Sequence, residues 1–346
     1  MKNDDSQLGT RYSRQALFGP IGEAGQKQLM QGRALLVGCG GLGTIIADIM
    51  TRAGIGLLRI VDRDFVEESN LQRQVLFDTD DVEKNLPKAE AARRRLARVN
   101  PGVEIEALVR DVDASSITSM VDDVDVILDG TDNFETRYLI NDTAVSTGTP
   151  WVYGAVVGSY GMAAAILPGT TPCLRCIFKK SPPPGASPTC DTAGILAPAV
   201  HTIASIQAAE AMKILCGLTD EIEPAIQYAD VWHGQYSRVS LAHAKDPACE
   251  TCGKKNFVYL NAERESYVTT LCGRNAVQIS WKEEHAIDFE TLAGRLEKAG
   301  DVTHNRFLLK FEHPDATITL FPDGRAIIEG TDDTERAREL YSKFIG

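Results

Sequence analysis

The chain lacks an uninterrupted apolar run of membrane-spanning length. Its longest uncharged stretch, WVYGAVVGSYGMAAAILPG from Trp151, is cut by Gly-Ser-Tyr-Gly and reads as strand, turn and strand inside a sheet. The opening residues, MKNDDSQLGTRYSRQ, hold no apolar segment, so neither a secretory leader nor a membrane partner is expected. Positive charge is also scarce. A formal net charge of −12 sets phosphate repulsion against nucleic acid as a partner. No internal repeat is present, which argues against a repeat array. With 346 residues, 43% hydrophobic and 24% charged, the chain has the composition of a globular protein and room for a large α/β domain plus a smaller one. Eight cysteines could mean disulfides, but four stand in two C-x-x-C pairs and nothing points to secretion. A reducing, cytoplasmic setting with a bound metal is therefore expected.

The periodicity predicts a strand at ALLV (34–37), a Gly-rich turn, and an amphipathic helix at TIIADIMTRAG. That helix carries Ile45, Ile46, Ile49 and Met50 on one face and Gly54 at its C-cap. A strand LLRIVD (57–62) follows, then a helix at PKAEAARRRLARVN started by Pro87. Strand VEIEALV, a short helix near SITSMV, strand DVILDG (125–130) and a helix from Asn133 continue the alternation. Strands alternating with helices at this spacing give an α/β fold, a Rossmann-like and mostly parallel sheet with helices on both faces. After the hairpin from Trp151 come a Pro-rich loop at 179–189, a long apolar helix from Ala197, and strands to about 243. From about 265 the pattern restarts as strand, helix, strand, a hairpin turning at Pro-Asp-Gly, and a final helix. The expected division is a nucleotide-binding α/β domain over 1–255 and a small α+β domain over 256–346.

Gly38, Gly40 and Gly43 satisfy G-x-G-x-x-G. Glycines stand where backbone N–H groups approach an anion without a Cβ in the way, and the helix start adds partial positive charge. Asp62, at a strand end 19 positions after Gly43, can accept from ribose hydroxyls. These features point to a nucleotide but leave open which one. Asn70, Arg73 and Lys88 follow, then Asp132 in TDN with Arg137 on the next helix. Arg73, Lys88 and Asp132 at strand C-terminal ends would suit a triphosphate and its magnesium ion. Each also has an ordinary reading: an Arg or Lys on a helix is commonly a solvated charge, and an Asp before a helix is commonly an N-cap.

Cys173-x-x-Cys176 and Cys249-x-x-Cys252 are two thiolate pairs at knuckle spacing, separated by 72 residues. Four thiolates make a closed tetrahedral site whose usual occupant is zinc, in a structural role that pins the chain end to the crossover region. A redox dithiol is the alternative, though one pair would suffice for that. Cys190, between the Pro-rich loop and the long helix, is either a nucleophile placed to meet an activated acyl group or a loop cysteine of no consequence. Cys39, Cys216 and Cys272 read as core residues.

RYSRQALFG, GCGGLG, DRDFVEESNLQRQ, PKAEAA, DGTDNFETR, PCLRC, TCDTAG and CETC occur in this order, and over residues 10 to about 255 the chain resembles the ThiF/MoeB/HesA adenylyltransferases. These are similar to the adenylation domain of ubiquitin-activating enzymes. The resemblance implies ATP held by Gly41 and Asp62, phosphates held by Asn70, Arg73 and Lys88, and magnesium on Asp132. It implies that Arg14 reaches into the active site of a second subunit, so that a homodimer is the working unit. The implied reaction is adenylation of the C-terminal Gly-Gly carboxylate of a ubiquitin-like sulfur carrier, ThiS-like or MoaD-like, in thiamine or molybdopterin assembly. Relatives place a cysteine at the Cys190 position that can bond covalently to the carrier. Some longer members carry a sulfurtransferase (rhodanese) domain, which the tail here does not resemble. Two alternatives stand beside this reading: an NAD(P)-dependent oxidoreductase, supported by the glycine loop and Asp62 alone, and a family member acting on a peptide or another carboxylate. A zinc-pinned scaffold without catalysis is a third, weakened by the joint presence of Arg14, Arg73, Lys88 and Asp132.

Overall fold

The structure is a computed structural model that describes residues 10–180, 193–262, 267–271, 275–280 and 287–345. It divides into two compact units, Met1–Ala262 and Glu263–Gly346.

In the first unit, α1 (Ser13–Ala16) and α2 (Gly22–Leu29) lead into β1 (Arg33–Val37), α3 (Gly41–Ala53) and β2 (Leu57–Val61). Next come α4 (Thr79–Glu83), α5 (Lys88–Val99), β3 (Glu104–Leu108), α6 (Ile117–Val121), β4 (Val126–Asp129) and α7 (Phe134–Thr147). The hairpin β5 (Trp151–Val157) and β6 (Tyr160–Ile166), the short α8 (Leu174–Ile177), α9 (Ala197–Leu215), β7 (Ala225–Asp230) and β8 (Gln235–Ser240) complete it. The eight strands form one sheet in the order β3-β2-β1-β4-β5-β6-β7-β8. The first five are parallel, and the last three join antiparallel. The order reverses between β1 and β4. A crevice therefore opens at the C-terminal ends of these strands, where ligands of open α/β sheets bind.

Local chemistry sets the element ends. Gly54 closes α3 with φ 86°, a conformation that costs glycine nothing, and the Tyr12 ring fills the space a Cβ would need there. The Asn133 side chain accepts the Thr136 N–H at 2.9 Å and starts α7. Pro87 holds the N-cap position of α5, one residue before the helix proper. Leu35, Val37, Ile127 and Trp151 from the strands meet Ile117, Met120, Tyr138 and Ile140 from α6 and α7 in one buried cluster, while α9 packs on α3, β5 and β6.

One buried ion pair closes the seam between β4 and β5. Arg137 Nε lies 3.1 Å from Asp129 Oδ2, and its Nη2 donates to the Thr131 carbonyl at 2.7 Å and the Gly154 carbonyl at 3.0 Å. Removing one partner of such a pair leaves an uncompensated buried charge and costs about 3–5 kcal/mol. Gln207 of α9 adds an N–H to the Asp129 carbonyl at 2.8 Å.

The first unit runs through Ala262, past the expected boundary at residue 255, because the chain after the second cysteine pair is bound to α7. The Tyr259 N–H donates to Asp142 at 2.8 Å and its ring stacks on Tyr138 with centroids 5.0 Å apart.

The second unit contains β9 (Tyr267–Leu271), β10 (Ala276–Ser280), α10 (Phe289–Leu296), β11 (Asp301–His304), β12 (Leu309–His313), β13 (Ala316–Leu320), β14 (Ala326–Glu329) and α11 (Thr334–Phe344). Its strands form an antiparallel sheet in the order β11-β12-β13-β14-β10-β9. Val277, Phe311, Ile318 and Ile328 face Leu292, Leu296 and Leu340 of the two helices. Strands β10 and β11 were not marked by the hydrophobic pattern. Each is short, and β11 is half-buried at most.

Candidate active site

The glycine loop crosses the crevice between β1 and β4. Gly38 has φ 87°, and a Cβ on it would meet the Gly130 carbonyl at 2.7 Å. A Cβ on Gly43 would lie 2.1 Å from the Gly38 carbonyl oxygen, and one on Gly130 2.3 Å from the same atom. These three glycines let the loop, the start of α3 and the end of β4 close on one another. Gly40 and Gly41 do a different job. Gly40 has only a backbone atom 3.9 Å from its would-be Cβ, and no side chain caps α3 at this position. The thirteen-residue helix α3 therefore presents its first-turn N–H groups and partial positive charge beside two glycines, a cradle that fits phosphate.

Around the cradle stand the other residues singled out from sequence. The aliphatic part of Arg73 is 3.9 Å from where a Gly41 Cβ would be, and its Nη1 donates to the Ser69 carbonyl at 2.9 Å. Asn70 is buried in a 3-10 turn over Glu68–Asn70, where its side chain and Glu67 cap each other and its carbonyl accepts the Arg73 N–H at 3.1 Å. The turn thus sets where Arg73 leaves the main chain. Asp62, just past β2, accepts the Cys39 N–H at 2.6 Å on one oxygen and the Asp64 N–H at 2.7 Å on the other. A carboxylate has about four acceptor sites, so two remain that could accept from further hydroxyl donors. Burial pushes the Asp62 carboxyl above its ordinary range, opposed by the Lys88 ammonium. Lys88 is buried and its Nζ lies 3.2 Å from Asp64 Oδ2.

Asp132 is exposed at the mouth of the crevice, two residues beyond Gly130. It is not the helix cap, since Asn133 holds that place. Thr131, whose N–H and Oγ both bond to Asp129, fixes the turn that carries Asp132. Arg137, grouped with the site from its spacing, belongs instead to the β4–β5 seam. Arg14 lies exposed on α1 and makes no hydrogen bond or ion pair among the described residues. Cys190 and Cys272 lie outside the described residues. Cys39 and Cys216 are buried, and burial pushes the Cys39 thiol well up, which suits core residues rather than nucleophiles. Asp64 and Gly130 carry structural duties in the site that the sequence reading missed. A second acidic residue two positions after Asp62, and a glycine directly following β4, were the available signals.

The glycines divide by what they touch. Gly43→Ala is expected to lower the melting temperature by about 10 °C or more, because main chain must move to clear a backbone oxygen. Gly41→Ala meets side chains rather than main chain, Val200 at 3.1 Å and Arg73 Cδ at 3.9 Å. It is expected to leave the melting temperature within about 3 °C while weakening ATP binding at least about tenfold, since its methyl enters the cradle. Thermal melts with calorimetric titration of ATP separate the two outcomes.

The four pair cysteines converge, with all sulfur atoms within 4.8 Å of one another. The Cys173–Cys176, Cys173–Cys249 and Cys176–Cys252 separations are 3.9, 3.7 and 3.4 Å. A tetrahedron of thiolates about 2.3 Å from a zinc ion has edges of about 3.8 Å, so the donor set and its size fit that metal. Helix α7 holds both knuckles: Asn141 accepts the Leu174 N–H at 2.8 Å, and Asp142 accepts the Thr251 hydroxyl at 2.8 Å. No helix among the described residues is long and apolar enough to cross a membrane.

The ThiF family model matches residues 12–251. The chain is 48% identical over 337 residues to the sulfur carrier protein ThiS adenylyltransferase of Bacillus subtilis, covering 97% of this chain and 99% of that protein. It is 36% identical over 248 residues to the protein of the same description in Escherichia coli, covering 71% and 96%. The crystal structure of Escherichia coli MccB with ATP superposes with a TM-score of 0.61 at 22% identity, covering 72% of this chain and 75% of that one, a likeness of fold. The family match replaces the oxidoreductase alternative raised by the glycine loop. The chain belongs to the ThiF family.

Proposed function

We propose that this adenylyltransferase activates the C-terminal Gly-Gly carboxylate of a ubiquitin-like sulfur carrier protein, ThiS-like or MoaD-like, in cytoplasmic thiamine or molybdopterin assembly. The observation that carries the reading is the uncapped start of α3 with Arg73 beside Gly41, set next to Asp62 just past β2 and Lys88 at the start of α5. An anion cradle, two cations and a ribose acceptor are what a nucleoside triphosphate requires. The near full-length likeness to the Bacillus subtilis protein supports a ThiS-like carrier first.

The carboxylate is already ionised at neutral pH, so no general base is needed. The barrier is bringing it to a triphosphate of like charge, and fixed cations with correct positioning supply the help. The carboxylate oxygen attacks the α-phosphorus, the bond to the bridging oxygen of pyrophosphate breaks, and acyl-adenylate and pyrophosphate result. Asp132 would hold a magnesium ion, which neutralises phosphate charge when bound. The four cysteines would hold zinc in a structural role. Carrier-dependent ATP–pyrophosphate exchange tests the proposal: it should require the intact Gly-Gly tail, and exchange that proceeds equally with a truncated carrier would overturn it.

The reading includes a homodimer in which Arg14 completes the site of its partner. In its favour, Arg14 lacks a partner among the described residues of its own chain and sits beside Leu17 and Phe18, 72% and 60% exposed. Arg14→Ala and Arg73→Ala should each be inactive alone. Mixed after subunit exchange, they should regain about a quarter of wild-type exchange, because half the dimers then hold one complete site. No recovery, with subunit exchange verified by native mass spectrometry, would place Arg14 outside the active site.

A further inference from the structure

We propose that Asp64 is a positioning residue that ties the ribose side of the site to the phosphate side by holding Lys88. The inference rests on Lys88 contacting phosphate, as proposed above. Asp64 touches both halves. Its N–H donates to Asp62 at 2.7 Å, its carbonyl accepts the Lys88 N–H at 2.8 Å, and its carboxylate lies 3.2 Å from Lys88 Nζ.

Lys88 needs such a partner for two reasons. Its side chain is only 6% exposed, so its ammonium has lost most of its water. It is also the first residue of α5, where the partial positive charge of the helix opposes a cation. A carboxylate at 3.2 Å offsets both. Among the described groups that face Lys88 are Asp64, the Asp62 carboxylate and the buried Cys39 thiol. Arg63 approaches Asp64 from the other side, Nε to Oδ1 at 3.7 Å, while also pairing with Asp111 at 2.9 Å. Asp64 is thereby held between two cations, and Lys88 is aimed by a fixed anion rather than by its own flexible stem.

The main chain here does not depend on the carboxylate. Phe65 bridges Pro87 and the Val66 N–H bonds the Leu86 carbonyl at 3.0 Å, so the backbone frame joining residues 64–66 to 86–88 survives loss of the side-chain charge. Asp64→Asn therefore removes this carboxylate's hold on the ammonium and leaves the Lys88 Cα in place.

The test measures carrier-dependent ATP–pyrophosphate exchange and calorimetric ATP affinity from pH 6.5 to 9.5. The proteins are wild type, Asp64→Asn, Asp64→Glu, Lys88→Ala, Lys88→Arg and Asp64→Asn with Lys88→Arg. Asp64→Asn should lose about 10–100-fold in exchange, as a misplaced reacting or binding group does. Its alkaline limb should fall at least about one pH unit below that of wild type, because a lysine that loses a carboxylate at contact distance sheds its proton sooner. Asp64→Glu should restore most of the loss. The shift should vanish in the Lys88→Arg background, where the cation cannot titrate. An unmoved pH profile in Asp64→Asn, or a shift that persists with Lys88→Arg, overturns the role of Asp64. Wild-type exchange and affinity in Lys88→Ala would instead overturn the phosphate role of Lys88, and this inference with it. Impaired Lys88→Ala beside wild-type Asp64→Asn rejects Asp64 alone.

Discussion

Arg73→Ala is expected to abolish carrier-dependent ATP–pyrophosphate exchange, by about 100–1,000-fold, while Cys190→Ala stays within about threefold of wild type. The two substitutions test different halves of the chemistry. Arg73 stands against the cradle at Gly41, its guanidinium anchored on the Ser69 carbonyl and its backbone set by the Asn70 turn. A cation fixed there meets phosphate without first having to be ordered, and that preorganisation is what alanine removes. Adenylation and its reversal, which exchange reports, use no thiol. Cys190, read from its place between the Pro-rich loop and α9, would act only after the acyl-adenylate exists. If Arg73→Ala keeps exchange near wild type, the phosphates are held elsewhere and the site has been misassigned. If Cys190→Ala loses exchange with ATP affinity intact, the thiol takes part in the first step and the order of events must be redrawn.

The features legible in the sequence are those with local causes. Helix α3 was visible because its apolar positions recur at helical spacing and Gly54 supplies a left-handed end. The Pro-Asp-Gly hairpin was visible for the same reason, with Gly324 at φ 86°. Both cysteine pairs announced themselves by spacing, although their meeting across 72 residues is a tertiary fact. What stayed hidden was long-range pairing of charges. Arg137 looked like a site residue because it follows TDN on the same helix, but it turns inward to Asp129 and closes the sheet. Asp64 carries no sequence signal of its own that names its partner, and only the meeting of 64–66 with 86–88 shows that it faces Lys88. The same limit set the domain edge. Nothing in the composition near residue 255 says that Tyr259 binds Asp142 and stacks on Tyr138.

Removing metal from the cysteine cluster, or replacing Cys249 with Ser, is expected to lower the melting temperature of the first unit by about 10 °C or more. The basis is energetic. A structural zinc site contributes folding free energy outright, and for a domain of this size each kcal/mol moves the melting temperature by about 2–4 °C. The cluster stands where three parts of the chain meet: the segment after β6, the segment after β8, and α7, whose Asn141 and Asp142 hold one knuckle each. Without metal, burial pushes the Cys252 thiol up to about 11 and raises that of Cys173 further, so at these two positions the thiolate forms only as the cation arrives and displaces a proton; at Cys249 burial is outweighed by hydrogen bonds from its neighbours, which hold that thiol below its ordinary range. Retention should therefore weaken as pH falls from about 7 to 5, since protons compete for every ligand. Asp142→Ala should speed chelator-driven zinc release about tenfold even at neutral pH, because it frees the Thr251 and Tyr259 contacts that shape the second knuckle. Mass spectrometry of metal content, melts with and without chelator, and release followed with a chromogenic dye measure all three effects. A protein that purifies without zinc and melts no lower than the loaded form would show that the four sulfur atoms gather for another reason.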